Sequence, residues 1–223
     1  MPVTQRASTR AIAQQIRAAE RHLATVDPVM AEVIARHGPC TLGARARDPF
    51  HTLCSSIISQ QLSSKAADTI QARLMAGIGA AEAITPLLLA AATHEQLRSH
   101  GLSTAKAKWL KALGEAADAG TLDFKALTKL DDEAAIEVLD ALPGIGRWTA
   151  EMFLMFALNR LDLFAMDDVG LRRGVAMLYN QGRPVSDTRT LKIVKKWAPY
   201  RTVASWYLWR VADPVNEIWV KAK

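Results

Sequence analysis

The sequence predicts an all-α protein, and three observations carry that prediction. Apolar residues recur three and four apart through most of the 223 residues, the period of a helix with one buried face. Breakers containing Gly, Pro or Asp separate those stretches. No stretch of any length alternates apolar and polar residues as a half-buried strand would. Taken in order, the first helix is expected at 8–24, an Ala- and Gln-rich run. Asp27-Pro28 opens a second at 27–37 and Asp48-Pro49 a third at 48–61, each pair interrupting the chain ahead of a new periodic run. Helices at 64–76 and 81–92 lie either side of Gly77-Ile78-Gly79, and Gly101 and Gly120 bracket one at 103–119. A run at 132–140 ends at a Pro-Gly-x-Gly turn. Beyond it come helices at 146–158, 168–180, 187–197 and 200–211, with Gln181-Gly182-Arg183-Pro184 dividing the second of these from the third.

With half of its residues hydrophobic, a chain of this length can bury a core in one domain or two small ones. Its formal charge is +6 and its pI about 9.5, with acidic residues interspersed, so it is a basic globular protein suited to a polyanion and not a disordered basic tail. Two cysteines, Cys40 and Cys54, are too few for a four-thiolate metal or iron–sulfur site and read as small buried hydrophobes. The five histidines, at 22, 37, 51, 94 and 100, show no metal-ligand spacing. The N-terminus lacks an apolar signal region, and the longest apolar run, 84–92, is too short to span a bilayer. No membrane contact is expected. The expected home is intracellular, nucleoid-associated in a bacterium and nuclear in a eukaryote.

The most informative segment is Leu142-Pro143-Gly144-Ile145-Gly146-Arg147-Trp148-Thr149-Ala150. One helical run ends near Asp140 and the next starts at once, so the turn between them is tight. Two glycines permit the positive φ such a turn needs and keep side chains out of the way. Backbone N–H groups at the turn and the start of the second helix lack intrahelical partners and form a cradle for an anion, helped by the helix dipole. Gly144, Ile145, Gly146, Arg147 and Thr149 are the candidate phosphate-binding residues, Arg147 adding a charge. Taken alone, Pro-Gly-x-Gly between helices is merely a turn.

The whole string, together with Asp167-Asp168 downstream, resembles the signature of the helix-hairpin-helix DNA glycosylase superfamily, whose motif runs on through a Gly/Pro-rich stretch to an Asp. Within it the likeness is to DNA-3-methyladenine glycosylase II and the compact yeast-type methyladenine glycosylases. The resemblance implies a two-lobed helical fold: a middle lobe at 49–160 holding the hairpin, and a second formed by 1–48 with 161–223, the family's active site lying between such lobes. It leaves no room for the additional N-terminal β domain of methyladenine glycosylase II.

Asp before a helix is by itself an N-cap. By position in the family motif, twenty residues beyond Trp148 and five before Arg173, Asp168 is the catalytic residue, with Asp167 a neighbour that caps the helix or orients its partner. A carboxylate suits the chemistry. Cleaving an N-glycosidic bond leaves an electron-poor sugar, which a nearby anion stabilises, and the same group can steer the attacking water. The superfamily's bifunctional members hold a lysine where this chain has Trp148, so strand cleavage lacks its nucleophile. The segment from Trp197-Ala198-Pro199-Tyr200-Arg201 to Trp209 resembles another family stretch, in which Trp209 matches an aromatic lining the base pocket. Trp148 and Trp209 are the expected pocket walls and Trp206 a core residue. Gln60, Gln61 and Ser63, in Gln60-Gln61-Leu62-Ser63-Ser64, match the turn that probes DNA and plugs the gap left by an extruded base. Without the resemblance this is a polar helix break. The likeness also implies a Na⁺ or K⁺ ion at the hairpin, held by the backbone carbonyls of Asp140, Leu142 and Ile145. No other cofactor is required.

These readings converge on a monofunctional DNA glycosylase of base-excision repair. As a monomer, it would flip alkylated purines such as 3-methyladenine and 7-methylguanine out of double-stranded DNA and release them hydrolytically. The alternatives are a glycosylase for hypoxanthine, ethenoadenine or uracil, and a non-enzymatic helix-hairpin-helix DNA-binding module.

Overall fold

A computed structural model of the chain describes residues 3–44 and 48–213, with side chains from residue 10 onward in the first stretch. These residues form helices and connecting turns and no strand. In order, the helices are α1 (Val3–Val26), α2 (Pro28–His37), α3 (Pro49–Ser59), α4 (Ser64–Gly77), α5 (Pro86–Ala91), α6 (His94–Ser99) and α7 (Thr104–Asp118), followed by α8 (Phe124–Leu127), α9 (Asp132–Asp140), α10 (Arg147–Phe156), α11 (Val169–Tyr179), α12 (Asp187–Lys195) and α13 (Arg201–Ala212). None is long and apolar enough to cross a membrane, among the described residues.

Local chemistry sets most of the helix starts. Asp27, Asp48, Ser63, Thr85, Ser103, Asp131 and Ser186 each accept a hydrogen bond from a backbone N–H of the first turn they precede, satisfying donors that the helix itself cannot. Proline follows the cap in α2, α3 and α5, where its missing N–H costs nothing. The expected run at 81–92 shortens to Pro86–Ala91 because Thr85 and Pro86 fix its start. Two short helices, α6 and α8, were not expected. The first carries a legible signal, the reciprocal Thr93/Gln96 capping box.

The helices sort into two compact units, Arg47–Phe153 and Met1–Ala46 with Leu154–Lys223. In the Arg47–Phe153 unit, α3 buries Phe50, Leu53, Cys54, Ile57 and Ile58, α5 and α6 pack on α7, and the Phe124 ring lies between those of Phe50 and Phe153. In the other unit, α13 has no one-sided apolar stripe and is buried on every side from Thr202 to Trp209, the mark of a central helix. Helices α1, α2 and α11 pack against it, and Trp206 is part of this core. Asp27 ties the unit together. Beyond capping α2, its Oδ2 accepts hydrogen bonds from the Tyr179 hydroxyl at 2.9 Å and the Trp197 indole N–H at 3.0 Å, so a buried carboxylate has a full set of donors.

Candidate active site

The hairpin lies in the Arg47–Phe153 unit, between α9 and α10. Only one of its glycines needs a positive φ. Gly144 sits at φ +83, where a Cβ would stand 2.4 Å from the Trp109 ring. Gly146 has no such φ, and the nearest atom a Cβ would meet is Asp140 Oδ1 at 4.0 Å. The fold therefore requires glycine at 144 and not at 146. Gly144→Ala is expected to cost about 3 kcal/mol of stability, from strain and overpacking, and Gly146→Ala no more than about 1 kcal/mol. Thermal melts of the two variants check this.

The expected phosphate-binding set is redrawn in three places. The Ile145 N–H donates to the Leu142 carbonyl at 3.1 Å, so it closes the turn and leaves the cradle. The Arg147 guanidinium makes a two-point contact with Glu133, at 2.9 and 2.6 Å, and its Nε reaches Glu151 at 3.2 Å. That hydrogen bonding holds the Glu133 carboxyl below the usual glutamate range, and Arg147 lends the hairpin little free charge. The Thr149 side chain is buried, so only its backbone can contribute. The N–H groups of Gly146, Arg147 and Thr149 precede the first helical bond, from Ala150 to Gly146, and have no acceptor among the described residues. They are what the hairpin offers an anion.

The turn after α3 also differs from expectation. Gln60 is not free to enter DNA, because its amide donates to the Gly144 carbonyl at 2.8 Å and ties the turn to the hairpin. Lys106, which sequence reasoning missed, donates its ammonium to the Ile58 and Gln60 carbonyls at 2.8 and 2.6 Å. It caps the end of α3, and burial pulls its amine below the usual lysine range. Ser63 spends its hydroxyl capping α4. Gln61 is exposed at φ +57. Beside it Leu62, also missed, leaves 39% of its surface exposed. Its one signal in the sequence was an isolated apolar residue inside a polar break.

Asp168 lies in the other unit, before α11. Of the two adjacent aspartates it is the buried one, 6% exposed, while Asp167 faces solvent. Asp168 itself is the N-cap: Oδ1 accepts the Leu171 N–H at 2.7 Å and the Trp209 indole N–H at 2.9 Å. Both of these groups donate to Oδ1 and hold that oxygen in place. Trp209, expected to line a pocket, is 7% exposed, with its ring against Phe156 and its N–H on Asp168. Its visible task is to orient the carboxylate. Gly170 makes the contact possible. A Cβ there would lie 2.9 Å from Trp209 Cδ1 and 3.1 Å from Asp168 Oδ1. Trp148, in the Arg47–Phe153 unit, is 41% exposed, an unusual cost for an indole that only packs.

The two cysteines add no chemistry to the site. Burial pushes the Cys40 thiol up to about 12 and the Cys54 thiol well above its ordinary value, which makes both inert. No His/Cys/Asp/Glu group able to hold a metal occurs among the described residues. The hairpin carbonyls of Asp140, Leu142 and Ile145 are hard oxygen donors of the kind a monovalent cation takes. The Leu142 carbonyl shares itself with the Ile145 N–H and keeps one lone pair.

Comparison with known proteins identifies the family. Residues 54–200 match the family described as HhH-GPD superfamily base excision DNA repair protein. The chain is 33% identical over 198 residues to DNA-3-methyladenine glycosylase 1 of Schizosaccharomyces pombe, covering 87% of this chain and 86% of that one. Its structure is similar to the crystal structure of a DNA-3-methyladenine glycosidase from Bacillus halodurans, with TM-score 0.78, 38% identity and coverage of 90% and 89%. It is also similar to a Schizosaccharomyces pombe 3-methyladenine DNA glycosylase in complex with abasic DNA, with TM-score 0.72, 33% identity and coverage of 86% and 95%. The chain belongs to the HhH-GPD superfamily of base excision DNA repair proteins.

Proposed function

We propose that this protein is a monofunctional DNA glycosylase that releases alkylated purines from duplex DNA and leaves an abasic site. The observation that carries the reading is the Asp168 carboxylate, buried and clamped by two N–H donors in a chain of this family. A module that only docks on DNA needs the Gly-rich hairpin and has no use for an oriented buried anion.

In the reaction the bond from the sugar C1′ to the base nitrogen breaks, and its electron pair leaves with the base. Positive charge develops on the sugar, and Asp168 stabilises it. Water then bonds to C1′ and gives up a proton, which the same carboxylate can accept. Methylation at N3 of adenine or N7 of guanine makes the base cationic, so it departs as a neutral molecule and needs no acid to protonate it. One carboxylate is then enough. Trp148 stands where the bifunctional members carry a lysine, so no amine is offered to the sugar and the strand stays whole. Its half-exposed indole is the ring for a cationic base to stack on. Gly146, Arg147 and Thr149 hold a phosphate through their N–H groups, with Gly146 keeping the approach clear. Leu62, with Gln61, fills the gap the base leaves. The carbonyls of Asp140, Leu142 and Ile145 suit a Na⁺ or K⁺ ion that would brace the turn, and the chemistry needs no other cofactor. The protein acts as a monomer.

Single-turnover rates on matched duplexes test the substrate class. Stacking a cation on an indole adds about 0.5–2 kcal/mol, or about two- to thirtyfold, and the lability of the methylated bond adds the rest. Cationic methylpurines should therefore leave faster than hypoxanthine, ethenoadenine or uracil. Equal or faster release of a neutral base would replace this substrate class with another lesion.

A further inference from the structure

One segment carries as large a positive excess as the whole chain. Residues 169–200 hold seven cations, Arg172, Arg173, Arg183, Arg189, Lys192, Lys195 and Lys196, against one anion, Asp187. Their balance equals the +6 of the whole protein, so the remaining residues are neutral in sum. The only carboxylate in the segment is already used, since Asp187 pairs with Arg172 at 2.8 Å.

Helix α12 organises this charge into one face. Thr190 and Val194 are its buried side. At 100° per residue, Lys195, Lys192, Lys196 and Arg189 fall within an arc of about 120° on the opposite side, and all four are exposed. Arg189 is fixed in place by hydrogen bonds to the Tyr179 and Asn180 oxygens. Lys192, Lys195 and Lys196 make no ion pair among the described residues. Arg147, Arg201 and Lys111 are each paired with a carboxylate; what sets α12 apart is four exposed cations on one helix face within a segment that holds a single acid. The helix dipole favours cations in a last turn, which accounts for Lys195 but not for a segment almost without acids. An unneutralised cationic face costs self-repulsion, and a polyanion relieves it.

We propose that the exposed face of α12, a helix of the unit that also carries Asp168, is a DNA-backbone surface that holds duplex DNA through its phosphates without reading sequence or damage. It rests on the reading of this protein as a DNA enzyme, and it adds a second point of attachment. Duplex DNA carries a charge every ~1.7 Å of its axis, a density that a row of unpaired lysines on one helix face matches better than a protein partner's scattered carboxylates. Such a surface gives the protein affinity for undamaged DNA, on which it can move while the hairpin and Asp168 wait for a lesion.

The test uses the full chain and an undamaged duplex, so binding is read independently of base release. Lys192→Gln, Lys195→Gln and Lys196→Gln together remove three charges from solvent-facing positions and leave the buried side of α12 intact. Each lysine that neutralises a phosphate contributes about one unit to the slope of log affinity against log salt. The triple variant is expected to lose two to three units of slope and to bind at least tenfold more weakly at low salt, converging on wild type at high salt. Its single-turnover base release at saturating enzyme should stay within twofold of wild type, because none of the three belongs to the reacting groups. An unchanged slope overturns the proposal, and so does an equal loss of slope from three lysine-to-glutamine changes at the exposed Lys108, Lys125 and Lys129 of the Arg47–Phe153 unit. Retained slope dependence in a protein that releases no base would instead count against the glycosylase reading and leave this surface standing.

Discussion

Asp168→Asn should fold normally and lose base release by about 10²–10³-fold, the effect of removing one aimed electrostatic stabiliser. The substitution is close to a pure charge deletion. An asparagine carbonyl can accept the same two hydrogen bonds, from the Leu171 N–H and the Trp209 indole, and asparagine caps helices about as well as aspartate. Thermal stability should therefore change by less than about 1 kcal/mol, and duplex binding should persist. Asp167→Asn, at an exposed position with no part in the clamp, should leave the rate nearly unchanged. Single-turnover release from methylated duplex, with melts alongside, checks both. Near wild-type release by Asp168→Asn would remove the residue from the chemistry.

Gly170→Ala should cost about ten- to hundredfold in the same rate. Helix propensity alone argues the other way, because alanine inside a helix is better than glycine by about 1 kcal/mol. The added methyl, however, would meet the Trp209 ring at 2.9 Å, and a buried indole packed on Phe156 has little room to yield. The hydrogen bond to Asp168 is what gives way, and a bond to a charged group is worth about 1.5–3 kcal/mol. Trp209→Phe deletes the same donor while keeping a ring, so it should lose a similar factor. The double variant should lose little more than either single one, as expected for two changes acting through one contact. Affinity for undamaged duplex should stay put. Independent, multiplying losses would show that Gly170 acts on something other than the indole–carboxylate bond.

What was legible in the sequence and what was not divide along physical lines. Helix starts were visible because caps are local: Asp27-Pro28 and Asp48-Pro49 act within one turn. The hairpin was visible for the same reason, as a short string with two glycines. What those glycines do was not, since the Trp109 ring against Gly144 comes from thirty-five residues away. Asp168 could be picked out by its place in a motif, but its clamp is a long-range fact: Trp209 follows it by forty-one residues. The need for glycine at 170 comes from that same long-range contact. The turn after α3 was misread for a related reason. Gln60 and Ser63 looked like free polar groups until the Gly144 carbonyl and the Ala66 N–H claimed them. Charge was legible in total and along the chain, but its gathering on one exposed face of α12 depends on which side of that helix, Thr190 and Val194, is buried.

The measurement that bears most directly on the account follows both products of one reaction. Duplex DNA methylated at purine nitrogens is incubated with the wild-type protein. Free base is identified chromatographically while the strand is examined on a denaturing gel before and after alkali. 3-Methyladenine and 7-methylguanine are expected in solution, with an intact strand that alkali breaks at the abasic sites. Tight binding with no free base would make the protein a docking module, and strand breakage without alkali would contradict the monofunctional mechanism built on Asp168 and Trp148.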